Sequence, residues 1–436
     1  MIIMKSLWQD TANLPSFPTL QEGTKTDVLI IGGGIAGLLT AYFLKEKGID
    51  YILVEKDKIC SGVTGNTTAK ITYQHSLIFH KLIKSYGADK AKLYYEANRL
   101  ALEKYREMCL SIDCEFEEKS NFVYSLDNMK KLEKELQAAE ILGVPMKYVK
   151  SVPLPLDTVG AVMCENQAQF HPLKFLSAVA KDLNIYENTF VSEVRDGTAV
   201  TDKGNITAEK IVVATHFPFI DSHGSYYMKM YQSRSYVIAL EGTEDVDGMY
   251  VDECDKGLSF RNYGELLLLG GGSHRTGKKG GSYSELRTFR KHHYPTSREK
   301  YHWAAQDPIT LDGAPYIGHY SKRTHDMYVM TGFNKWGMTG AMCASMIVSD
   351  MLCGKDSPYK DAFSPHRSMI KPQLFLNGAE TALNFLTPTK KRCSHLGCAL
   401  KWNSAEKSWD CPCHGSRFDE SGRVLDGPAN KDISTL

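Results

Sequence analysis

Residues 26–56, TDVLIIGGGIAGLLTAYFLKEKGIDYILVEK, constrain this chain more than any other stretch. The apolar run VLII is short enough for a buried parallel strand, AGLLTAYFLKEKG has helical periodicity that stops at Gly48, and DYILVEK reads as a second strand. The whole is one βαβ unit whose tight turn carries Gly32, Gly34 and Gly37 at G-x-G-x-x-G spacing. The three glycines serve different ends. Gly32 permits the turn, Gly34 lets the backbone approach a pyrophosphate, and Gly37 lets helix pack on strand. The helix N-terminus adds N–H donors and a positive dipole. Glu55, at the end of the second strand, stands where a carboxylate can accept both hydroxyls of a ribose, with Lys56 beside it. A dinucleotide site follows from these parts in register.

Which dinucleotide depends on whether a second such turn exists. LLLLGGGSHRTGKKGG supplies Gly270 and Gly272 after a strand, but no apolar helix follows, and the stretch reads as a strand end and a mobile turn. A single dinucleotide bound near the start of a chain of 436 residues favours FAD over a nicotinamide cofactor. That length suits two or three domains. The middle of the chain alternates amphipathic helices (DNMKKLEKELQAAEILG) with strands (KIVVAT, SYVIALEG, ELLLLGGG), as expected for a partly antiparallel second sheet beside the first. A Pro- and Ser-punctuated link, SPYKDAFSPHRSMIKP, separates this body from a cysteine-rich tail.

Composition removes several classes. Hydrophobic residues at 42% and charged residues at 24% are globular values, and a net charge of +1 gives no argument for a general affinity for nucleic acid or anionic membrane. The N-terminus lacks the long apolar run and small-residue cleavage site of a secretory signal, and no stretch has the roughly 20 apolar residues of a membrane span. A cytoplasmic protein is the expectation. Seven of the eleven cysteines (60, 109, 114, 164, 254, 343 and 353) are scattered without ligand-like spacing; the last four are organised.

Several segments together resemble the FAD-dependent D-amino-acid-oxidase-like superfamily. They are the βαβ unit, SGVTGNTTAKIT from Ser61, the VVAT strand ending at Thr215, DGAPYIG from Asp312 and TGFNKWGMTG from Thr331. The resemblance covers about residues 25–355 and includes glycine, sarcosine and polyamine-derivative oxidoreductases. It implies an FAD-binding Rossmann-type domain interleaved with a mixed-sheet substrate domain. It further implies that Gly65, Asn66, Thr67 and Thr68 pass near the pyrophosphate and flavin. The turn from Gly332 through Gly337 and Met338 to Thr339 would lie against the isoalloxazine ring at a helix N-terminus, whose dipole favours negative charge at the reduced ring. Relatives that use oxygen often carry Ser-Gly-His-Gly in this turn; Lys335 and Trp336 stand there in NKWG and argue against oxygen.

Relatives hold a substrate carboxylate with Arg and Tyr on the sheet facing the flavin. Arg234 and Tyr236 in SRSYVIAL alternate on one strand face and fit that part, with Arg261 and His75 as lesser candidates. A solvent-side Arg beside a core Tyr is the plainer reading of the same pair. His292 and His293 in RKHHY read as exposed.

In the tail, Cys393 and His395 form C-x-H, fifteen residues intervene, and Cys411 and His414 form C-x-x-H. Two cysteines and two histidines could hold a structural zinc ion. Two additional cysteines, Cys398 in CSHLGC and Cys413 in CPCHGS, are extras that a zinc knuckle does not need. From Cys393 to Phe418 the stretch closely resembles the Rieske [2Fe-2S] family. By that resemblance Cys393 and Cys411 bind one iron, His395 and His414 the other, and Cys398 and Cys413 form a disulfide that clamps the two loops. Imidazole ligation makes such a cluster easier to reduce than a plant-type ferredoxin. Ser416 is kept, but Phe418 stands where high-potential relatives have a Tyr that bonds a cysteine sulfur, so a lower potential is expected. The module is also short, and it should lean on the flavoprotein body or a neighbouring subunit.

The expected division is an oxidoreductase over 1–370, followed by the linker and an all-β Rieske module over 371–436. FAD-binding parts fall near 25–75, 151–225 and 308–355, and a substrate domain near 76–150 and 226–307. The expected activity is dehydrogenation of a small amine or amino-acid-like substrate, with electrons leaving singly through the cluster to an acceptor protein or a quinone. A reductase driven by NAD(P)H and a non-catalytic redox carrier or sensor are the alternatives. A Rieske oxygenase would need a His-x4-His group with a nearby acid, and the chain offers no suitable one.

Overall fold

The computed structural model describes residues 5–433. Thr24–Ile31 forms the centre of the first sheet and is flanked in parallel by Tyr51–Val54 and Gly204–Val213. Ile185–Tyr186 and Thr324–Thr331 extend the sheet outward in parallel, and Tyr316–Ser321 closes one edge in antiparallel register. The helices Ile35–Glu46 and Gly337–Leu352 pack together over this sheet. Both are small-residue-rich and buried along most of their length, as central helices of such a layer must be.

The second sheet has nine strands. Met230–Glu241 runs antiparallel between Arg298–Thr310 and Leu266–Arg275, and the order continues through Ser259–Tyr263, Met249–Asp252, Glu117–Ser125 and Gly160–Gln169 to Lys70–Ile71. The stretch 151–225, expected as an FAD-binding part, contributes strands to both sheets. Gly160–Gln169 pairs with Glu117–Ser125 in the second sheet, and the chain rejoins the first sheet only at Ile185. Its apolar alternation suits either sheet, so only pairing decides. The run through Gly270–Gly272 is likewise strand as far as Arg275, and a polar helix, Tyr283–His293, follows the turn. His292 and His293 are exposed on it.

The link to the tail is anchored. Arg367 is buried and forms a bidentate pair with Asp312 at 2.8 and 2.9 Å. The helix Pro372–Leu386 then leads into a small antiparallel sheet of Lys401–Asn403, Ser408–Asp410, Arg417–Phe418 and Val424–Asp426. Only a handful of apolar side chains, Leu400, Phe418 and Ala429 among them, pack with the four cysteines to make its core.

Gly37 shows how tightly the first turn is drawn: a Cβ there would lie 1.9 Å from the Gly32 carbonyl oxygen. Gly37→Ala should therefore cost about 1–3 kcal/mol through overpacking. It should also yield protein purified with little flavin, checked by thermal melting and visible absorbance; a variant that keeps wild-type flavin content would mean that the turn can open without harm.

Candidate active site and metal centre

A cavity of about 1460 Å³ opens beside the glycine turn and runs along the second sheet to the tail module. One end is lined by Gly32, Gly34, Glu55 and Lys56, with Thr215 across from them. Gly32 has φ of 114°, in the region that favours glycine, and its Cα faces the Ala214 carbonyl so closely that a Cβ would lie 2.7 Å from it. The Glu55 carboxylate accepts the Gly33 N–H at 2.7 Å and the Asp57 N–H at 3.0 Å, which fixes it at the strand end. Burial raises its pKa against those two bonds. The cavity, the helix N-terminus and the acid fit the elongated, pyrophosphate-containing FAD molecule.

The loop 61–70 forms one wall through Asn66, Thr67 and Thr68. Gly65 sits behind it, where a Cβ would lie 2.6 Å from the Cys60 carbonyl. Two residues without any signal in the sequence hold this loop: Trp8 Nε1 donates to the Thr67 carbonyl at 2.7 Å, and the Ser6 hydroxyl donates to the Gly65 carbonyl. Arg261 belongs with them. It is fully buried against the Trp8 ring and donates to the Ala69 carbonyl at 2.9 Å, so it supports the loop from behind instead of facing the cavity.

The turn before Gly337–Leu352 supplies the next wall. Asn334 and Lys335 both have positive φ, 53° and 72°, and the Asn334 side chain ties the turn to Thr310 and Gly332. Trp336, Gly337 and Met338 line the cavity, whereas Gly332 and Thr339 stand behind it. His75 stacks on Trp336 at 5.2 Å and bonds Tyr94, Thr72 and Thr339, and burial lowers its pKa to about 3. It is a neutral brace between loop and helix. Lys335, an exposed residue, also lines the cavity, and its ammonium donates to Ser273 Oγ at 2.9 Å. Burial lowers its pKa, and burial raises that of Asp307, a cavity-lining carboxylate on the neighbouring strand. In each, desolvation outweighs their mutual attraction, so both are displaced toward the neutral form. Asp307 carries no sequence signal; only strand register turns it inward.

Arg234 and Tyr236 both reach the cavity wall, but with different partners. Tyr236 stacks on His274 and bonds its Nε2 at 3.1 Å. Arg234 is not a free guanidinium: Nε donates to Glu406 at 2.7 Å and a second nitrogen completes a bidentate pair with the same carboxylate, which belongs to the tail module. A carboxylate supplied by the chain itself fills the place expected for the substrate's.

The tail docks on this same sheet. Gln232 Nε2 donates to the His414 carbonyl at 3.2 Å and to that of Gly427 at 2.9 Å; Gln306 Nε2 donates to the Gly415 carbonyl at 2.9 Å. Arg275 donates to the Pro412 and Cys413 carbonyls, both at 3.0 Å. The expected leaning of the short module is thus met within one chain. Within the module, the sulfurs of Cys398, Cys411 and Cys413 all lie within 4.8 Å of one another, and Cys393 approaches Cys411 closely enough for a thiol contact. The Nδ1 atoms of His395 and His414 are buried without a partner among the described residues. Burial lowers the His414 pKa to about 3, holding it in the neutral form that can ligate a metal. His395 Nε2 meets Asp221 Oδ2 of the body at 2.8 Å. Two orphaned imidazole nitrogens aimed inward beside two thiols fit a [2Fe-2S] cluster. Cys398 and Cys413, the expected disulfide pair, are free thiols in the structure and share a compact sulfur group with Cys411.

The chain belongs to the FAD dependent oxidoreductase family, whose model matches residues 27–351, and residues 380–436 match the Rieske [2Fe-2S] domain. It is an oxidoreductase whose cofactors are FAD and a [2Fe-2S] cluster. It is 34% identical, over 99% of its length and 97% of the relative's, to YhfW of Bacillus subtilis (strain 168), named as a Rieske 2Fe-2S iron-sulfur protein. It is 25% identical to gamma-glutamylputrescine oxidoreductase of Escherichia coli (strain K12), over 80% of this chain and 89% of that one. Among solved structures, glycine oxidase from Geobacillus kaustophilus shares the fold with a TM-score of 0.67 at 18% identity, covering 79% of this chain and 99% of the other.

Glu406→Ala strands the buried Arg234 charge and should destabilise the docked tail by about 3–5 kcal/mol, read by urea unfolding of the holoprotein. Burial acts to raise the Glu406 pKa, but Arg234 and then Arg417 outweigh it, leaving it below its ordinary 4.5. The pair's contribution is therefore complete above pH 4.5 and is lost as pH falls through the lower, folded value. Glu406→Gln should lack this acid-side step, and an unchanged pH profile would show that the pair adds nothing.

Proposed function

We propose that the chain is a dehydrogenase that oxidises a small amine or amino-acid-like substrate at FAD and passes the electrons singly through the [2Fe-2S] cluster to an external acceptor. One observation carries this reading. The strands Met230–Glu241 and Arg298–Thr310 serve both centres: Gln232 and Gln306 hold the cluster-binding loop, while Arg234 and Asp307, one or two residues further along, line the flavin cavity. FAD, when bound, supplies a two-electron acceptor and the cluster a one-electron carrier.

The chain's own residues then take these parts. Asp307 is the group suited to an ammonium, because it is a half-buried carboxylate lining the cavity near Lys335. Lys335, lowered by burial, is suited to take the ammonium proton, since an amine must shed it before losing hydride. Tyr236, bonded to His274, braces the sheet beside the cavity. Arg234 keeps the tail in place and reaches substrate only if Glu406 yields. Cys393, Cys411, His395 and His414 would hold the cluster, and Cys398 and Cys413, both buried, would close a disulfide around it. Lys335 and Trp336 in the flavin-facing turn favour an acceptor protein or a quinone over oxygen. No helix among the described residues is long and apolar enough to cross a membrane, and the free thiols elsewhere suit a cytoplasmic setting.

The reading is tested by anaerobic mixing with a panel of amines and amino acids. Flavin absorbance should fall first and oxidised-cluster absorbance second, and Cys411→Ser should keep the first phase and abolish the second. Bleaching by NADH with none by any amine would replace this reading with a reductase. Asp307→Asn should lower kcat/KM for the active amine about 10- to 100-fold, the value of a lost charged hydrogen bond. Lys335→Met should remove the rise of the reduction rate with pH; equal pH profiles in variant and wild type would take the base role away from Lys335.

A further inference from the structure

The helix Pro372–Leu386 is inside out. Its only buried side chains are Asn377 and Asn384, whereas Phe375, Leu376, Leu383, Phe385 and Leu386 are all more than half exposed. The polar side is well used: Asn377 accepts from Arg275 at 2.9 Å and donates to the Met228 carbonyl, and Glu380 pairs with Lys278. The orientation is therefore set by satisfied polar contacts to the body, and turning the apolar side inward would break them. A surface helix that buries its asparagines and offers leucine and phenylalanine to water needs a cover.

The ends of the helix say what kind. Ile370, 77% exposed, and Lys371 precede it, and Lys390, Lys391 and Arg392 follow within six residues of its end. An apolar strip with cationic flanks has the composition of a helix that lies in the plane of a bilayer, its side chains among the acyl chains and its cations among anionic headgroups. A second copy of the chain would set these like-charged flanks near one another. We propose that Pro372–Leu386 docks the protein on an anionic lipid surface.

The consequence falls on the cluster. The first cluster loop is mounted on this helix: Ala399 N–H donates to the Asn384 carbonyl at 3.0 Å, Arg392 bonds the carbonyls of Phe385 and Gly397, and a Cβ on Gly397 would lie 3.7 Å from the Phe385 ring. Leu396, next to His395, is exposed beside it. Docking thus holds the first cluster loop close to the membrane interface.

The holoprotein is sedimented with vesicles of phosphatidylcholine alone and with vesicles containing phosphatidylglycerol, over a range of salt. Binding to the anionic vesicles, weakened by salt, is expected. Leu376→Glu with Leu383→Glu should abolish it while leaving flavin content, cluster absorbance and melting temperature unchanged, because both side chains are exposed. Lys390→Glu should weaken it about fivefold or more. Absence of binding to either vesicle, or binding that the paired glutamates leave intact, overturns the proposal. So does a dimer in light scattering that the same glutamates dissolve, since that assigns the face to a second copy of the chain.

Discussion

The structure depends on the alternation of one strand. Along Met230–Glu241, residues 232, 234 and 236 point the same way and make three separate connections. Gln232 carries the second cluster loop, Arg234 binds Glu406, and Tyr236 packs on His274 and Tyr283. A strand rises about 3.3 Å per residue, so these three side chains span little more than one nanometre. Two redox sites that would otherwise need a dedicated interface are joined through one strand that is itself paired along both edges. A shift of register by one residue would turn all three side chains to the opposite face.

The tail explains why such a joint is required. A module with four short strands and a few apolar side chains cannot exclude water well enough to stand alone. It borrows rigidity from charged and amide groups of the body: Arg234, Arg275, Gln232 and Gln306 all end on its backbone or carboxylates. Close approach matters as much as bonding. Gly277 and Gly415 sit where a Cβ would meet the Pro412 backbone and the Gln232 side chain, each at 2.5 Å, so the two surfaces touch at backbone level. The His395–Asp221 contact adds a second anchor on the first cluster loop, which leaves both histidines facing the body and its Tyr227 ring.

What could be read from sequence is what local chemistry determines. The glycine turn, Glu55 and the cysteine–histidine spacing are each set within a short stretch, and the structure brings each set together. The sequence left Arg234 open as a substrate contact or a solvent-side residue, and its partner was out of reach, because Glu406 lies 172 positions away and nothing local marks the pair. Asp307 was invisible for the same reason, being one acid among fifty-one acidic residues until register turns it into the cavity. The linker helix is obscure in another way. Periodic leucines ordinarily mark a core-facing stripe, and a net charge of +1 averages away the three cations that follow the helix. Periodicity identifies an apolar face without saying what covers it.

The placement of Arg234 also changes what the tail is to the cavity. Arg417, Asp426 and Gly427 of the module line the same space as Gly32 and Thr215, so the tail is a wall of the flavin cavity as well as an electron port. Glu406, Asp410 and Asp426 surround Arg417, and Glu406 also takes Arg234, which makes a buried network of two cations and three carboxylates at that wall. Such a network tolerates loss of Arg234, Glu406 or Arg417 poorly, because the side chains of these three are largely shielded from water. It follows that removing the tail would expose the cavity and leave Arg234 free at its edge, restoring the carboxylate-binding guanidinium expected from sequence. In the intact chain the carboxylate is supplied internally, and selectivity at that end of the cavity is built from the body and the tail together.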